Sequence, residues 1–293
     1  MTLPPWLDEQ LPFEHAWHSV RGRKMHVMTQ GEGPTVLLVH GNPTWGYLWR
    51  KVVAELGPGF RCVMPDLVGL GLSDKPDEPG FHTLDAHIAH LADLVDQLGL
   101  REVILVVQDW GGPIGTGAFL EQSDRLAGMV VLNTVLGPPK PGFKATAFHR
   151  FSRTPGLSDL VFRGLGFPQI CLWTAQGDRK SIGRKETRAY TWPLRKNRRA
   201  PLELARMVPD SMDHPSVEPL TRVAALVEAF EGPAAMVWGD RDPVLGRLKR
   251  RIHRALPQAS LRETQAGHFL QEEVPVEIAE AIREVQSGSV HSS

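Results

Sequence analysis

The sequence predicts an α/β fold: a mostly parallel central sheet with helices on both faces and an inserted helical cap. Three features point there: a series of short apolar runs, an amphipathic stretch leading into one of them, and a long segment in which the rhythm stops. The runs cover 35–40, 61–65, 103–107, 129–133, 234–238 and 260–263. They are nearly continuous in apolar character rather than alternating, which marks strands covered on both faces by helices. Between 85 and 98, Ala86, Ile88, Ala89, Leu91, Ala92, Leu94, Val95 and Leu98 recur at helical spacing, and Gly99 stands where such a helix would stop. From 137 to about 213 the chain turns to Pro, Arg, Phe and Trp, the composition of a cap rather than of a sheet. The expected organisation is therefore core over 1–136, helical cap over 137–213 and core again over 214–293. The Ser-rich tail, 286–293, is expected to be disordered.

Composition narrows the function. A chain of 293 residues can form one α/β core with a lid. Its 33 basic and 33 acidic residues give no net formal charge, so no global field draws it to nucleic acid or to an anionic membrane. Cys62 and Cys171 make neither a disulfide framework nor a metal set, which suits a reducing compartment, and a cytoplasmic location is expected. The first ten residues contain Pro4, Pro5, Asp8 and Glu9 but no apolar centre, so neither a signal peptide nor a membrane span is expected there.

The most telling segment is Val107-Gln108-Asp109-Trp110-Gly111-Gly112. It follows a buried strand and precedes a run of small residues, the setting in which α/β-hydrolases carry a nucleophile on a sharp G-x-S-x-G elbow. Here Asp109 holds the nucleophile position. A carboxylate attacks saturated carbon well and carbonyl carbon poorly, so the chemistry indicated is opening of a C–X bond. Val107 departs from the first glycine of the pattern, and Gly111 keeps the second. His268, in Ala266-Gly267-His268-Phe269 after the last strand, is placed to act as base. Trp238-Gly239-Asp240-Arg241-Asp242-Pro243 offers two acids, and either Asp240 or Asp242 could orient the imidazole. His40-Gly41-Asn42-Pro43-Thr44-Trp45 follows the first long strand. Backbone amides of Asn42 and Trp110 would form an oxyanion hole, while the Asn42 side-chain amide and the Trp110 indole N–H are neutral donors suited to a leaving halide.

Taken together, H-G-N-P-T-W, Q-D-W-G-G-P, W-G-x-x-D and G-H-F-x-Q-E occur in that order, and the chain from about 13 to 282 resembles the haloalkane dehalogenase family of α/β-hydrolases. The resemblance implies that Asp109 is the nucleophile, His268 the general base, Asp242 rather than Asp240 the catalytic acid, and Asn42 with Trp110 the halide-binding pair. Asn133 stands where one subfamily places a Glu after the strand that follows the nucleophile helix, which also moves the acid to the later strand. The reaction implied is displacement of halide by Asp109, leaving an alkyl ester that water, deprotonated by His268, then hydrolyses. The expected partners are a small halogenated hydrocarbon and water, with an alcohol, a halide ion and a proton as products. No cofactor, metal, nucleic acid or membrane is called for.

Three rivals stand beside this reading. An epoxide hydrolase uses the same fold and nucleophile but needs an acid for the alkoxide, and Tyr47 and Tyr190 are the only tyrosines. A Ser esterase would have to use Ser73, which the sequence places in a surface turn. A silent binding protein would be expected to lack a triad member. The basic stretch 179–199 reads as a solvated helical surface whose stems cover apolar residues. Trp173 and Trp192, with Phe143, Phe148, Phe151 and Phe162, are the cap aromatics that could face a pocket.

Overall fold

The computed structural model describes residues 3–140, 142–143, 147–195 and 197–290. Its centre is an eight-stranded sheet made of β1 (Glu14–Val20), β2 (Arg23–Gln30), β3 (Thr35–Val39), β4 (Arg61–Pro65), β5 (Val103–Asp109), β6 (Leu126–Thr134), β7 (Ala234–Gly239) and β8 (Ser260–Thr264). The order across the sheet is β1-β2-β4-β3-β5-β6-β7-β8, antiparallel at β1/β2 and β2/β4 and parallel elsewhere. The core helices are α1 (Arg50–Leu56), α2 (Leu84–Gln97) and α3 (Gly111–Gly117), followed by α4 (Ala147–Ser152), α5 (Arg184–Thr191) and α6 (Arg199–Arg206) after β6. The chain closes with α7 (Val217–Ala229), α8 (Lys249–Ala255) and α9 (Pro275–Val290).

Because side chains alternate across a strand, each parallel strand feeds two cores. Leu37, Val39, Leu105, Val107 and Val131 pack with Leu91 and Leu94 of α2 on one face. Val36, Leu38, Ile104, Val106 and Val130 pack with Val53 of α1 and Ile278 and Ile282 of α9 on the other. The helix over 85–98 is α2, capped by the Thr83 hydroxyl accepting from the Ala86 amide at 3.1 Å and followed by Gly99 at φ +59°. No described helix is long and apolar enough to cross a membrane.

The sequence reading found β3 to β8 and missed β1 and β2. Only Val20 of β1 is buried, so that strand has no apolar run to detect. What joins the pair is a two-residue turn, Arg21-Gly22, with both φ values positive (48° and 76°), the conformation whose twist matches flanking strands. Two further expectations need correcting. The tail is helical through Val290, because Ile282 and Val285 bury against the sheet and the Ser287 and Ser289 hydroxyls bond to the carbonyls of Arg283 and Ala127, both at 2.9 Å. Residues 291–293 lie outside the described part. Ser73, expected in a surface turn, is buried: its hydroxyl donates to the Asp66 carbonyl and accepts from the His26 amide.

The segment between β6 and α7 contributes no strand among its described residues. Its basic stretch is held against aromatic faces and carboxylates, with the Arg188 guanidinium 3.9 Å from the Trp6 ring centre, Arg195 5.0 Å from Trp192, and Arg199 3.5 Å from Glu203. Lys196 lies outside the described residues. The strongest tie to the sheet is Glu272, the last residue of the G-H-F-x-Q-E motif. Its carboxylate is buried, accepts two bonds from Arg50 (2.7 and 2.9 Å), and takes the Tyr190 hydroxyl of α5 at 2.6 Å. Removing the carboxylate strands a buried guanidinium, so Glu272→Ala is expected to destabilise the fold by roughly 3–5 kcal/mol. Urea unfolding measures this, and a loss no larger than that of an exposed ion pair would contradict it.

Candidate active site

Asp109 ends β5 with φ +50°, a left-handed backbone that a non-glycine residue adopts only under constraint. Three neighbours hold it there by being small. A Cβ on Gly41 would strike the Asp109 side chain, one on Gly111 would strike the Val39 carbonyl, and one on Gly112 would strike the Thr134 hydroxyl. Val107 keeps its bulk because α3 offers Gly115 opposite, where a Cβ would stand 2.9 Å from the Val107 side chain. The close helix–strand approach is thus preserved by a glycine on the helix instead of one on the strand.

The elbow sits at the carboxyl ends of the strands, where strand order reverses between β3 and β5. Loops after β3, β7 and β8 converge on it. His268 lies with Nε2 3.5 Å from Asp109 Oδ2 and Nδ1 2.9 Å from Asp242 Oδ2. Asp240 points elsewhere, pairing with Lys249 at 2.6 Å. Of the two acids left open by spacing, Asp242 is the one brought to the imidazole. Its carboxylate is fully engaged: Oδ1 accepts from the Val244 and Leu245 amides (2.6 and 3.1 Å) and Oδ2 from the Asn133 side chain (2.7 Å) as well as His268. Asn133, noted in the sequence only for not being Glu, also clasps Gly239 through both its amide and carbonyl groups, so it fixes the turn that carries Asp242.

The electrostatics follow from this geometry. Burial opposes a charge on His268, but the carboxylates of Asp242 and Asp109 outweigh it and hold the proton up to about pH 10. For Asp242, burial would favour the neutral acid, yet His268 and the converging amides keep its pKa below the usual carboxylate value. The imidazole between the two carboxylates therefore favours its protonated form.

Asp109, Trp110, Asn42 and His268 border a cavity of about 1010 Å³ walled by such residues as Phe143, Phe167, Leu172 and Leu245. The Asn42 backbone N–H donates to Asp109 Oδ1 at 2.7 Å. The Trp110 amide, next along the chain, makes no bond to that carboxylate. Among the described residues, the Trp110 indole N–H has no hydrogen-bond partner, whereas the Asn42 side-chain NH₂ donates to the Pro201 carbonyl of α6 at 3.0 Å and keeps its second hydrogen. Trp173 and Trp192 do not line the cavity. Phe151 and Phe162 pack against one another and Phe167 in a separate cap cluster, and the side chain of Phe148 lies outside the description. Both tyrosines are buried away from the cavity, Tyr47 donating to Gln10 at 2.8 Å and Tyr190 to Glu272. Cavity residues not anticipated include His149, Cys171 and a row of arginines on α8, none of which carries a motif. Among the described residues no group of three or more His, Cys, Asp or Glu could hold a metal ion.

Residues 34–275 match the α/β-hydrolase fold family. Haloalkane dehalogenase 2 of Mycobacterium tuberculosis is 34% identical over 285 residues, covering 94% of this chain and 96% of the relative. A cis-3-alkyl-4-alkyloxetan-2-one decarboxylase of Shewanella oneidensis is 32% identical over 290 residues, covering 94% and 89%. The crystal structure of a haloalkane dehalogenase from Bradyrhizobium elkani superposes with a TM-score of 0.85 at 25% identity, covering 96% of this chain and all of that one. The chain belongs to the haloalkane dehalogenase family of α/β-hydrolases.

Because His268 binds its proton more tightly folded than unfolded, protonation favours the native state. That contribution is complete below the ordinary value of 6.5 and disappears as pH rises through about 10. The melting temperature should therefore fall between these pH values in the parent protein and fall less in His268→Phe. Parallel pH profiles would show that His268 carries no such proton.

Proposed function

We propose that this protein hydrolyses carbon–halogen bonds through an ester formed on Asp109. The observation that carries the reading is a carboxylate, held by a backbone amide, on the floor of a largely apolar cavity beside an indole N–H with no partner. An Asp109 oxygen attacks the halogen-bearing carbon in line, and the C–X pair leaves as halide toward Trp110, with the free hydrogen of the Asn42 amide as second donor. Esterification removes one of the two anions that hold the His268 proton. The imidazole then releases that proton to solvent and takes one from water, which attacks the ester carbonyl. The oxyanion forms where the Asn42 amide already donates, and its collapse breaks the acyl C–O bond, so that the alkoxide takes a proton and leaves as alcohol and the Asp109 carboxylate is restored. Asp242 supports the imidazolium, and Asn133 positions Asp242.

Epoxide opening fits the site less well, because the alkoxide would form on the Asn42 and Trp110 side, opposite His268, and needs an acidic proton there. Neither tyrosine reaches the cavity. His149 does line it, but burial first, then Arg153 and Arg247, lowers its pKa to about 4, so the ring is neutral and a poor acid. A silent binding protein would have no use for a nucleophile held at strained φ against a buried imidazolium.

The decarboxylase relative raises a second reading, favoured by the arginines along the cavity. Attack by Asp109 at the ring C–O carbon of an oxetan-2-one would expel a carboxylate where a haloalkane expels halide. The resulting ester would lose carbon dioxide, form an alkene and return the electron pair to Asp109, with no water consumed. The two readings part at His268. In His268→Phe a dehalogenase should release one halide per protein and stall, with the alkyl group on the peptide containing Asp109 by mass spectrometry. Continued alkene formation from an oxetan-2-one would favour the second reading, and an unmodified Asp109 after exposure to bromoalkanes that the parent consumes would remove the nucleophile assignment.

Donation to the leaving halide has its own test. Trp110→Phe keeps most of the ring but removes the N–H, so halide release should slow by about 10²–10³. Stopped-flow halide detection on a chloroalkane reads this directly, and a rate equal to the parent's would exclude Trp110 as the donor.

A further inference from the structure

The wall of the cavity formed by α8 and the turn before it is basic. Arg247, Arg250, Arg251 and Arg254 all line it, spaced three and four apart so that they form one helical stripe. Asp109 is the one acid among the described lining residues. None of the four guanidiniums has a carboxylate within 4.0 Å among the described residues. Five other arginines at or near the cap do have one: Arg50, Arg153, Arg163, Arg199 and Arg206 are each paired. Lys249, in the middle of the stripe by sequence, turns off the cavity and pairs with Asp240 and Glu263. Arg251 is braced by donating to the Pro138 carbonyl at the entrance to the cap, and Arg254 donates to the Arg250 carbonyl at 3.2 Å.

Four like charges along one wall, with no internal counter-ion, favour an anion placed among them. An apolar haloalkane supplies none. Guanidinium forks match a carboxylate in shape and in hydrogen-bonding capacity. We propose that the substrate carries a carboxylate at the end remote from the carbon attacked by Asp109, so that the arginine stripe of α8 binds its head while the apolar walls hold its chain. For turnover this rests on the dehalogenation reading, but as a statement about binding it stands independently. It also separates the substrate from simple haloalkanes: the carboxylate is held at the basic wall, away from the negative charge of Asp109, which orients the halogenated end toward the nucleophile.

The test compares ω-bromoalkanoates of graded chain length with their methyl esters. In the parent protein kcat/KM should favour the acid by about tenfold or more at the best length, equivalent to ~1.4 kcal/mol. The preference should shrink as salt is added, because three of the guanidiniums are exposed. In Arg247→Gln/Arg250→Gln the ratio should fall toward one, whereas Lys249→Gln should keep it. Equal turnover of acid and ester in the parent, or a preference that survives the double substitution, overturns the proposal. If neither bromide is released, the dehalogenation reading fails and binding alone decides. Quenching of tryptophan fluorescence by decanoate and by methyl decanoate then reads the affinities. Tighter decanoate binding that the double variant loses upholds the arginine site, and equal affinities overturn it.

Discussion

The arrangement on which the rest depends is one imidazole between two carboxylates in a buried site. Two anions at this spacing would repel each other strongly if nothing lay between them, and burial alone would strip the proton from His268. Together the two carboxylates outweigh burial and favour the protonated imidazole between them. This also explains how a histidine with so high a proton affinity could serve as a base. Its affinity is a property of the resting site, sustained by both anions, and an ester on Asp109 would remove one of them. The base would thus become available only after the nucleophile has reacted, an ordering set by charge rather than by movement.

Everything around the triad limits how far those groups can move. Asp109 is held at positive φ by glycines that admit the Val39 carbonyl and Thr134 hydroxyl to within contact, and Asp242 has no lone pair idle. The cap is tied to the same framework twice: by Tyr190 on Glu272 and by the Asn42 side chain on Pro201. The second tie matters for selectivity, because it fixes one amide hydrogen of Asn42 on the cap and directs the other. The Asn42 amide therefore joins the cap to the loop that also supplies the backbone donor to Asp109.

Much of this was legible in the sequence because it is written in local patterns. β3 to β7 are largely apolar runs, and α2 has a cap, a periodic face and a stop glycine. The elbow, the two acids after β7 and His268 sit at strand ends, where chain order alone brings side chains together. Spacing could not choose between Asp240 and Asp242, since that depends on which way a tight turn faces. β1 was invisible because an edge strand with one buried residue has no hydrophobic period. The tail misled because serine reads as a disorder signal, whereas here its hydroxyls satisfy carbonyls and the helix is held by Ile282 and Val285. Asn133 and Tyr190 gained their meaning only from contacts more than eighty residues away in the chain.

The arginine stripe was hidden for a different reason. The whole chain is neutral, and in the basic segment that stood out, 179–199, Arg188 and Arg195 lie over tryptophan faces and Arg199 pairs with Glu203. The run Arg247-Leu248-Lys249-Arg250-Arg251-Ile252-His253-Arg254 looks no different on paper. What separates the two is that four arginines of the second run line the cavity. Lys249 is answered by Asp240 and Glu263 while its four arginine neighbours face the cavity unanswered. An unpaired charge on a surface is solvated and carries little meaning. A row of them along the wall of a site whose floor is the Asp109 carboxylate sets up a field across the cavity, which would favour a molecule with opposite polarity at its two ends.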